Sequence, residues 1–251
     1  MELPKTIIKA TQKSPRRLFM FSSPKVGKTS LLAQLPNSLL IDLEDGSGFV
    51  DAAKVNVRQI AIEEKKSVLK VLKEISEELA KRNHVYDYII LDTATALQDM
   101  ASELAVILYK KSPIGVNFTG NDVLTLANGA GYLWLRNAFE ELYALFDPFP
   151  AKCLILTGHV KTASINKDGK DLNARDIDLT GKLKQIVASG ADAIGFLYRD
   201  KESSENILSF KSSEQDLATG ARPEHLRGQE IVISKLENGV LNTYWNKIFI
   251  D

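Results

Sequence analysis

Between the apolar runs Leu18-Phe19-Met20-Phe21 and Leu31-Leu32-Ala33-Gln34-Leu35 lies the stretch Ser22-Ser23-Pro24-Lys25-Val26-Gly27-Lys28-Thr29-Ser30. Strand, tight loop and helix, in that order, is the setting a phosphate-binding P-loop requires. The pattern G-x-x-x-x-G-K-[ST] reads here as S-x-x-x-x-G-K-T, with Ser22 in place of the first glycine. Backbone N–H groups along Ser22 to Ser30 would cradle a phosphate chain over the positive end of the helix. Lys28 would reach the β- and γ-phosphates, and the Thr29 hydroxyl would ligate Mg²⁺. The competing reading is a Pro-Lys turn capped by a helix. A serine at position 22 is costly if the backbone there needs positive φ.

The remaining composition is permissive. With 251 residues, 44% hydrophobic and 25% charged, the chain can bury the core of one large α/β domain. Lys+Arg 32 against Asp+Glu 32 leaves zero formal charge. That speaks against coating nucleic acid through a global positive field and leaves a local basic loop open. The single cysteine, Cys153, sits in an apolar run and reads as core filler in a reducing compartment. One cysteine excludes a disulfide framework or a cysteine-based zinc site. No signal-peptide core and no run of membrane-span length is present, so a cytoplasmic protein without a membrane partner is expected.

Along the chain, residues 1–17 form a short lead-in, in which Lys13, Arg16 and Arg17 read as a solvated segment or a nucleic-acid arm. A first strand is expected near Leu18–Ser22, with the P-loop helix running to about Leu35 before Pro36-Asn37. Ser38–Glu44 is a buried strand ending in acids. Catalytic groups gather at strand carboxyl ends in open α/β sheets. Glu44 is therefore a candidate base, or an acid accepting loop N–H bonds. Val55–Arg58 reads as a short strand. Glu63–Arg82 reads as an amphipathic helix on Val68, Leu72, Ile75 and Leu79. Tyr86–Asp92 is an apolar strand ending in Asp92, the Walker B arrangement that sets a carboxylate beside Mg²⁺. Thr93, not a glutamate, follows it, so the base must come from elsewhere, and Glu44 can supply it.

Thr95 is expected to cap a helix to about Lys111, and a second helix spans about Tyr132–Phe146. The loop between them, around Phe118, is a candidate mobile loop. Cys153–His159 is a strand ending where a γ-phosphate sensor would sit. His159 is that sensor or a histidine satisfied by its neighbours. Lys161–Lys184 is polar and basic, with Asp168-Gly169 as a hairpin turn. It reads equally as a mobile solvated loop or a DNA contact through Lys161, Lys167, Lys170 and Arg175. Later strands lie near Asp192–Tyr198, Ile207–Phe210 and Glu230–Ile233, and Asn238-Gly239 turns a final hairpin. Arg222 lies in an exposed-looking loop. No repeat or linker appears, so 1–251 reads as one domain.

The ordered pieces resemble the RecA-like P-loop ATPase core: the P-loop, Ile41-Asp42-Leu43-Glu44, Ile89-Ile90-Leu91-Asp92-Thr93, and Thr157-Gly158-His159. Within that superfamily the chain looks most like small phage-encoded members that include single-strand-annealing recombinases, on Asp178-Leu179-Thr180-Gly181-Lys182 and a late arginine. The resemblance implies an α/β fold with a mostly parallel twisted sheet flanked by helices and a C-terminal antiparallel hairpin. It implies ATP and Mg²⁺ as cofactors, Glu44 as general base, Lys28 on the phosphates, and Thr29 and Asp92 at the metal. Arg222 would be a finger from a neighbouring subunit, with Lys211 as an alternative. The implied partners are single-stranded DNA, further copies of the chain and a single-strand-binding protein. The implied activity is a Mg²⁺-dependent ATPase in phage DNA recombination or annealing. A nucleotide-dependent switch with little turnover is the rival, and a motor or kinase the third reading. His159, where the recombinase often has glutamine, departs from the pattern.

Overall fold

The computed structural model describes residues 3, 5–81, 86–147, 151–167, 170–213 and 218–250, with 163–173 described by their backbone alone. Strand β1 (Arg17–Ser22) lies at the centre. It pairs in parallel with β5 (Cys153–Lys167) on one side and β7 (Ala193–Arg199) on the other. A strand covered on both faces and both edges reads as a continuous apolar run, as Leu18–Phe21 does. Beyond β5 the parallel sheet continues through β4 (Tyr88–Asp92), β2 (Ser38–Asp42) and β3 (Lys54–Asn56). Beyond β7 it turns antiparallel, through β8 (Asn206–Ser209), β10 (Glu230–Glu237) and β11 (Val240–Thr243). The short β9 (Gly220–Ala221) joins β7, and β6 (Lys170–Ile177) joins β5. The fold expected from the sequence is the one observed. Asn238 (φ 51°) and Gly239 (φ 80°) make the turn between β10 and β11, with the two positive φ values that a tight hairpin favours.

Alternation along the strands sorts the core into two layers. Phe19, Phe21, Ile41, Ile89, Leu91 and Leu156 face α2 (Val57–Glu63), α3 (Val68–Lys81), α4 (Ala94–Lys111), α5 (Gly131–Ala144) and α6 (Leu183–Gly190). Leu18, Met20, Leu40, Ile90 and Ile155 face α1 (Lys28–Leu32) and the C-terminal residues Trp245 and Ile248. Cys153 is part of this second layer, and burial pushes its thiol well above the usual range, so it is an inert filler.

Several boundaries differ from the sequence reading. The P-loop helix stops at Leu32, and turns carry the chain to Pro36. β3 ends at Asn56 because the Asn56 side chain accepts the Gln59 N–H at 2.9 Å and caps α2, a helix the sequence reading missed. Lys65, at φ 53°, then separates α2 from α3, which starts at Val68 rather than Glu63. Thr93, not Thr95, caps α4. The largest difference is Lys161–Lys184. Most of it is strand: β5 runs on past the sheet and pairs with β6 from Val160↔Ile177 to Lys167↔Lys170, a short loop spans 178–182, and α6 follows. The expected turn at 168–169 lies outside the described residues.

The layer under α1 generates a prediction. The Trp245 indole N–H donates to the Leu31 carbonyl at 3.2 Å, adding a second donor to the Gln34 N–H, which reaches the same oxygen at 3.3 Å past the end of the helix. Trp245→Ala should lower unfolding free energy by about 3–5 kcal/mol through lost packing. Trp245→Phe should lose only about 1 kcal/mol, for the hydrogen bond. Urea melts of the two variants check this, and equal losses would refute the division.

Candidate nucleotide site at the carboxyl edge of the sheet

The strand ends of β1, β2, β4 and β5 deliver the predicted groups to one edge. Ser22 closes β1 in register with His159 and Leu197. Positive φ in the loop falls on Lys25 (64°) and Gly27 (97°), so Ser22 occupies ordinary strand backbone and the missing first glycine is no obstacle. The buried Ser22 hydroxyl donates to the Ser23 carbonyl at 2.9 Å. Gly27 forms the left-handed N-cap of α1. Lys28 is buried, and its ammonium donates to the Gly158 carbonyl at 3.0 Å. Burial pulls its pKa below the ordinary lysine value, opposed by the negative charges of Asp92 and then Glu44.

Asp92 is held from two sides. The Thr29 hydroxyl donates to Oδ2 at 2.8 Å, and the Thr157 hydroxyl donates to Oδ1. Thr29 and Asp92 thus present two hard oxygen donors side by side, which suits Mg²⁺. Among the described residues no cluster of three or more His, Cys, Asp or Glu could hold a metal alone. That also fits a small cation whose remaining ligands come from phosphates and water.

The strand-end acid that accepts loop N–H bonds is Asp42, two residues before Glu44. Its carboxylate takes the N–H groups of Glu44 (3.0 Å), Asp45 (2.9 Å), Gly46 (3.3 Å) and Ser47 (2.8 Å). Burial would raise the Asp42 pKa, but hydrogen bonds from Ser47, Gly46 and Glu44 outweigh it and hold the group below the ordinary value. Glu44 is left to project from this braced loop. Its Oε1 accepts the Thr93 hydroxyl, and His159 Nε2 lies 3.2 Å from Oε1 and 3.4 Å from Oε2. A carboxylate only accepts, so Nε2 carries the proton. His159 Nδ1 is buried with no hydrogen-bond partner. The P-loop, Asp92, Glu44 and His159 line one cavity of about 300 Å³. Phe49, fully exposed, stands at its rim. A wider hollow of about 850 Å³ opens at the opposite, amino edge, but its Arg17 and Lys152 are engaged by Asp147 and Asp87. Among the described pockets, only the smaller cavity brings the P-loop together with the acid-terminated strand ends.

Other expected residues lie elsewhere. Lys161 donates to the Leu179 carbonyl at 2.9 Å, and the Arg175 guanidinium lies 4.4 Å over the Phe196 ring, so both are engaged at the base of the β5–β6 ribbon. Lys167 and Lys170 face each other as its last pair, and their side chains lie outside the described residues. Phe118, in the loop expected to be mobile, packs edge-on against Tyr109, with centroids 5.1 Å apart. Gly181 takes φ 56° beneath the Tyr132 ring, which accounts for the glycine of the 178–182 segment. Arg222 does not reach the cavity of its own chain. It sits at the amino edge, 3.3 Å from Asp192 and bonded to the Ser189 carbonyl. Lys211 follows β8 toward the same edge. Arg199, unremarked in the sequence, does approach: its guanidinium donates to the Val26 carbonyl at 3.4 Å. Only the pairing of β7 with β1 reveals that nearness.

The family described as AAA domain matches residues 14–224. No curated protein matches the chain significantly. Among solved structures, a crystal structure of the RadB recombinase superposes with TM-score 0.43 at 10% identity, over 92% of each chain. No helix among the described residues is long and apolar enough to cross a membrane.

The Asp42 brace generates a prediction with a definite pH sign. A carboxylate with a depressed folded pKa stabilises above its unfolded value, about 3.9, and loses that contribution as pH falls through the folded value. Asp42→Asn should therefore destabilise the protein at pH 7 by about 1–3 kcal/mol, with the gap closing below pH ~4. Chemical denaturation from pH 3 to 7 measures it, and a pH-independent gap would refute the assignment.

Proposed function

This chain belongs to the AAA domain family, and we propose that it is a Mg²⁺-dependent ATPase acting in phage DNA recombination or single-strand annealing. The observation that carries the proposal is the convergence of Lys28, Thr29, Asp92, Glu44 and His159 on one cavity at the sheet's carboxyl edge. Lys28 and the loop N–H groups would hold the triphosphate and take up charge as it develops. Thr29 and Asp92 would hold Mg²⁺, which supplies further charge neutralisation at the phosphates. Glu44 would accept a proton from the attacking water. The water oxygen bonds to the γ-phosphorus as the bridging P–O bond breaks, releasing ADP and phosphate.

His159 now contacts both Glu44 oxygens. A γ-phosphate arriving beside it would compete for the Nε2 proton. His159 is also the last residue of the core pairing before β5 leaves the sheet, so a shift there would pass into the ribbon. The ribbon's distal Lys167 and Lys170 are the proposed contacts to single-stranded DNA. With zero net charge, useful affinity would come from several copies on one strand, and a single-strand-binding protein is a further proposed partner. Arg222, acting between copies as a finger, would first have to leave Asp192. The same His159–Glu44 contact favours the second reading, a nucleotide-dependent switch whose base stays occupied and turns over little.

Steady-state ATPase rate with and without single-stranded DNA separates the two. Stimulation supports the recombinase, and a flat, slow rate supports the switch. Lys28→Ala should abolish turnover in a folded protein, and Glu44→Gln should cut it by ~10²-fold while ATP still binds. Binding lost with turnover retained would make Glu44 structural.

The ribbon is tested separately. Each phosphate contact contributes about −0.7 to the salt slope on single strands. Lys167→Glu with Lys170→Glu should weaken DNA binding and flatten that slope while leaving ATP binding unchanged. Anisotropy across a salt series with a non-hydrolysable ATP analogue measures both, and an unaltered curve rules the contact out.

A further inference from the structure

The residue after Asp92 does more than cap a helix. Thr93 is 1% exposed. Strand pairing continues one step past Asp42↔Asp92, where the Leu43 N–H donates to the Asp92 carbonyl at 2.8 Å. That extra step carries Glu44 alongside Thr93. The Thr93 hydroxyl has one proton. The Ala96 N–H, 3.5 Å away, can only donate, so the hydroxyl accepts there at the α4 N-terminus. Its own proton is therefore left for the Glu44 carboxylate, which can only accept. The polarity of the chain Ala96 N–H to Thr93 O–H to Glu44 is fixed in one direction.

Glu44 needs such a tether. It is about one-third exposed on a side chain with three rotatable bonds, and its other side-chain contact is His159. The His159 contact is the one that a bound γ-phosphate would contest. The Thr93 contact comes from a residue 1% exposed, fixed at the β4–α4 junction, and holds Oε1 whether or not His159 lets go. We propose that Thr93 is the positioning residue for the catalytic base. It pins Oε1, and so leaves Oε2, whose remaining contact is the longer one to His159, to take the water proton. This inference rests on Glu44 being the base of an ATPase.

Three variants separate positioning from capping. Thr93→Val keeps the shape and removes both hydrogen bonds. Thr93→Ser keeps both. Thr93→Asn supplies a good N-cap acceptor without a hydroxyl. Misplacing a reacting group by about 1 Å can slow a reaction ~10²-fold. We expect Thr93→Val to lower kcat by about 10- to 100-fold, with affinity for a fluorescent ATP analogue changed by less than about 3-fold. Thr93→Ser should recover the rate to within about 3-fold. Thr93→Asn should restore the melting temperature and leave kcat low. In single-turnover assays, adding Thr93→Val to Glu44→Gln should slow the reaction no further, because its action passes through the missing base. Recovery of kcat by Thr93→Asn would assign the whole effect to the cap and overturn the proposal. Full kcat in Thr93→Val, or a further loss in the Glu44→Gln background, would overturn it as well. Should Thr93→Val not fold, the Ser and Asn pair decides alone. Failure of the underlying reading looks different: the unmodified protein would not hydrolyse ATP, or Glu44→Gln would match it.

Discussion

A buried carboxylate with one threonine hydroxyl on each oxygen organises this molecule. Asp92 takes Thr29 from the first turn after the phosphate loop and Thr157 from the neighbouring strand. An ionised group out of water is tolerable only when its lone pairs are met, and here the two partners come from two segments other than its own. The pairing therefore sets the distance between α1, β4 and β5, and so the width of the cavity. Lys28, drawn inward by the same negative charge and bonded to Gly158 on β5, closes the arrangement.

Around that centre the sheet works as a rigid rack. Parallel pairing places the ends of β1, β2, β4 and β5 at one level, and each contributes a different kind of group: loop N–H donors, Glu44, Asp92 and His159. The loop carrying Glu44 stays firm because Asp42 gathers four N–H groups beneath it. Polar groups that look alike in sequence are thereby divided in labour, one acid bracing the backbone and the next facing the cavity.

Much of this was legible in the residues. The P-loop, the two acid-terminated strands and the apolar run leading to His159 announced themselves because each couples an apolar run to a polar end, as a buried parallel strand does. What stayed hidden depended on tertiary neighbours. Whether Ser22 could replace glycine turned on which residue took positive φ, and Lys25 does. The Asp42 and Glu44 roles could not be divided before the loop's hydrogen bonds were seen. Arg199 and Arg222 are both arginines near strand ends, and only the sheet order separates the carboxyl edge from the amino edge. The ribbon stayed hidden because its apolar alternation is short: Ala163 and Ile165 pair with Ala174 and Leu172, but lysines, asparagines and acids fill the rest and the contrast fades towards the turn.

The ribbon also bears on how such a chain can diversify. The β5 pairing with β1 ends at His159, and the pairing with β6 begins at Val160. No residue is shared between the two. Lengthening or trimming the hairpin by one residue pair changes its reach by about 3.4 Å and leaves every strand of the rack in register. The structure is in this sense modular: a sheet of fixed dimensions with an arm that can change length or surface at the 159–160 junction while the cavity stays as it is.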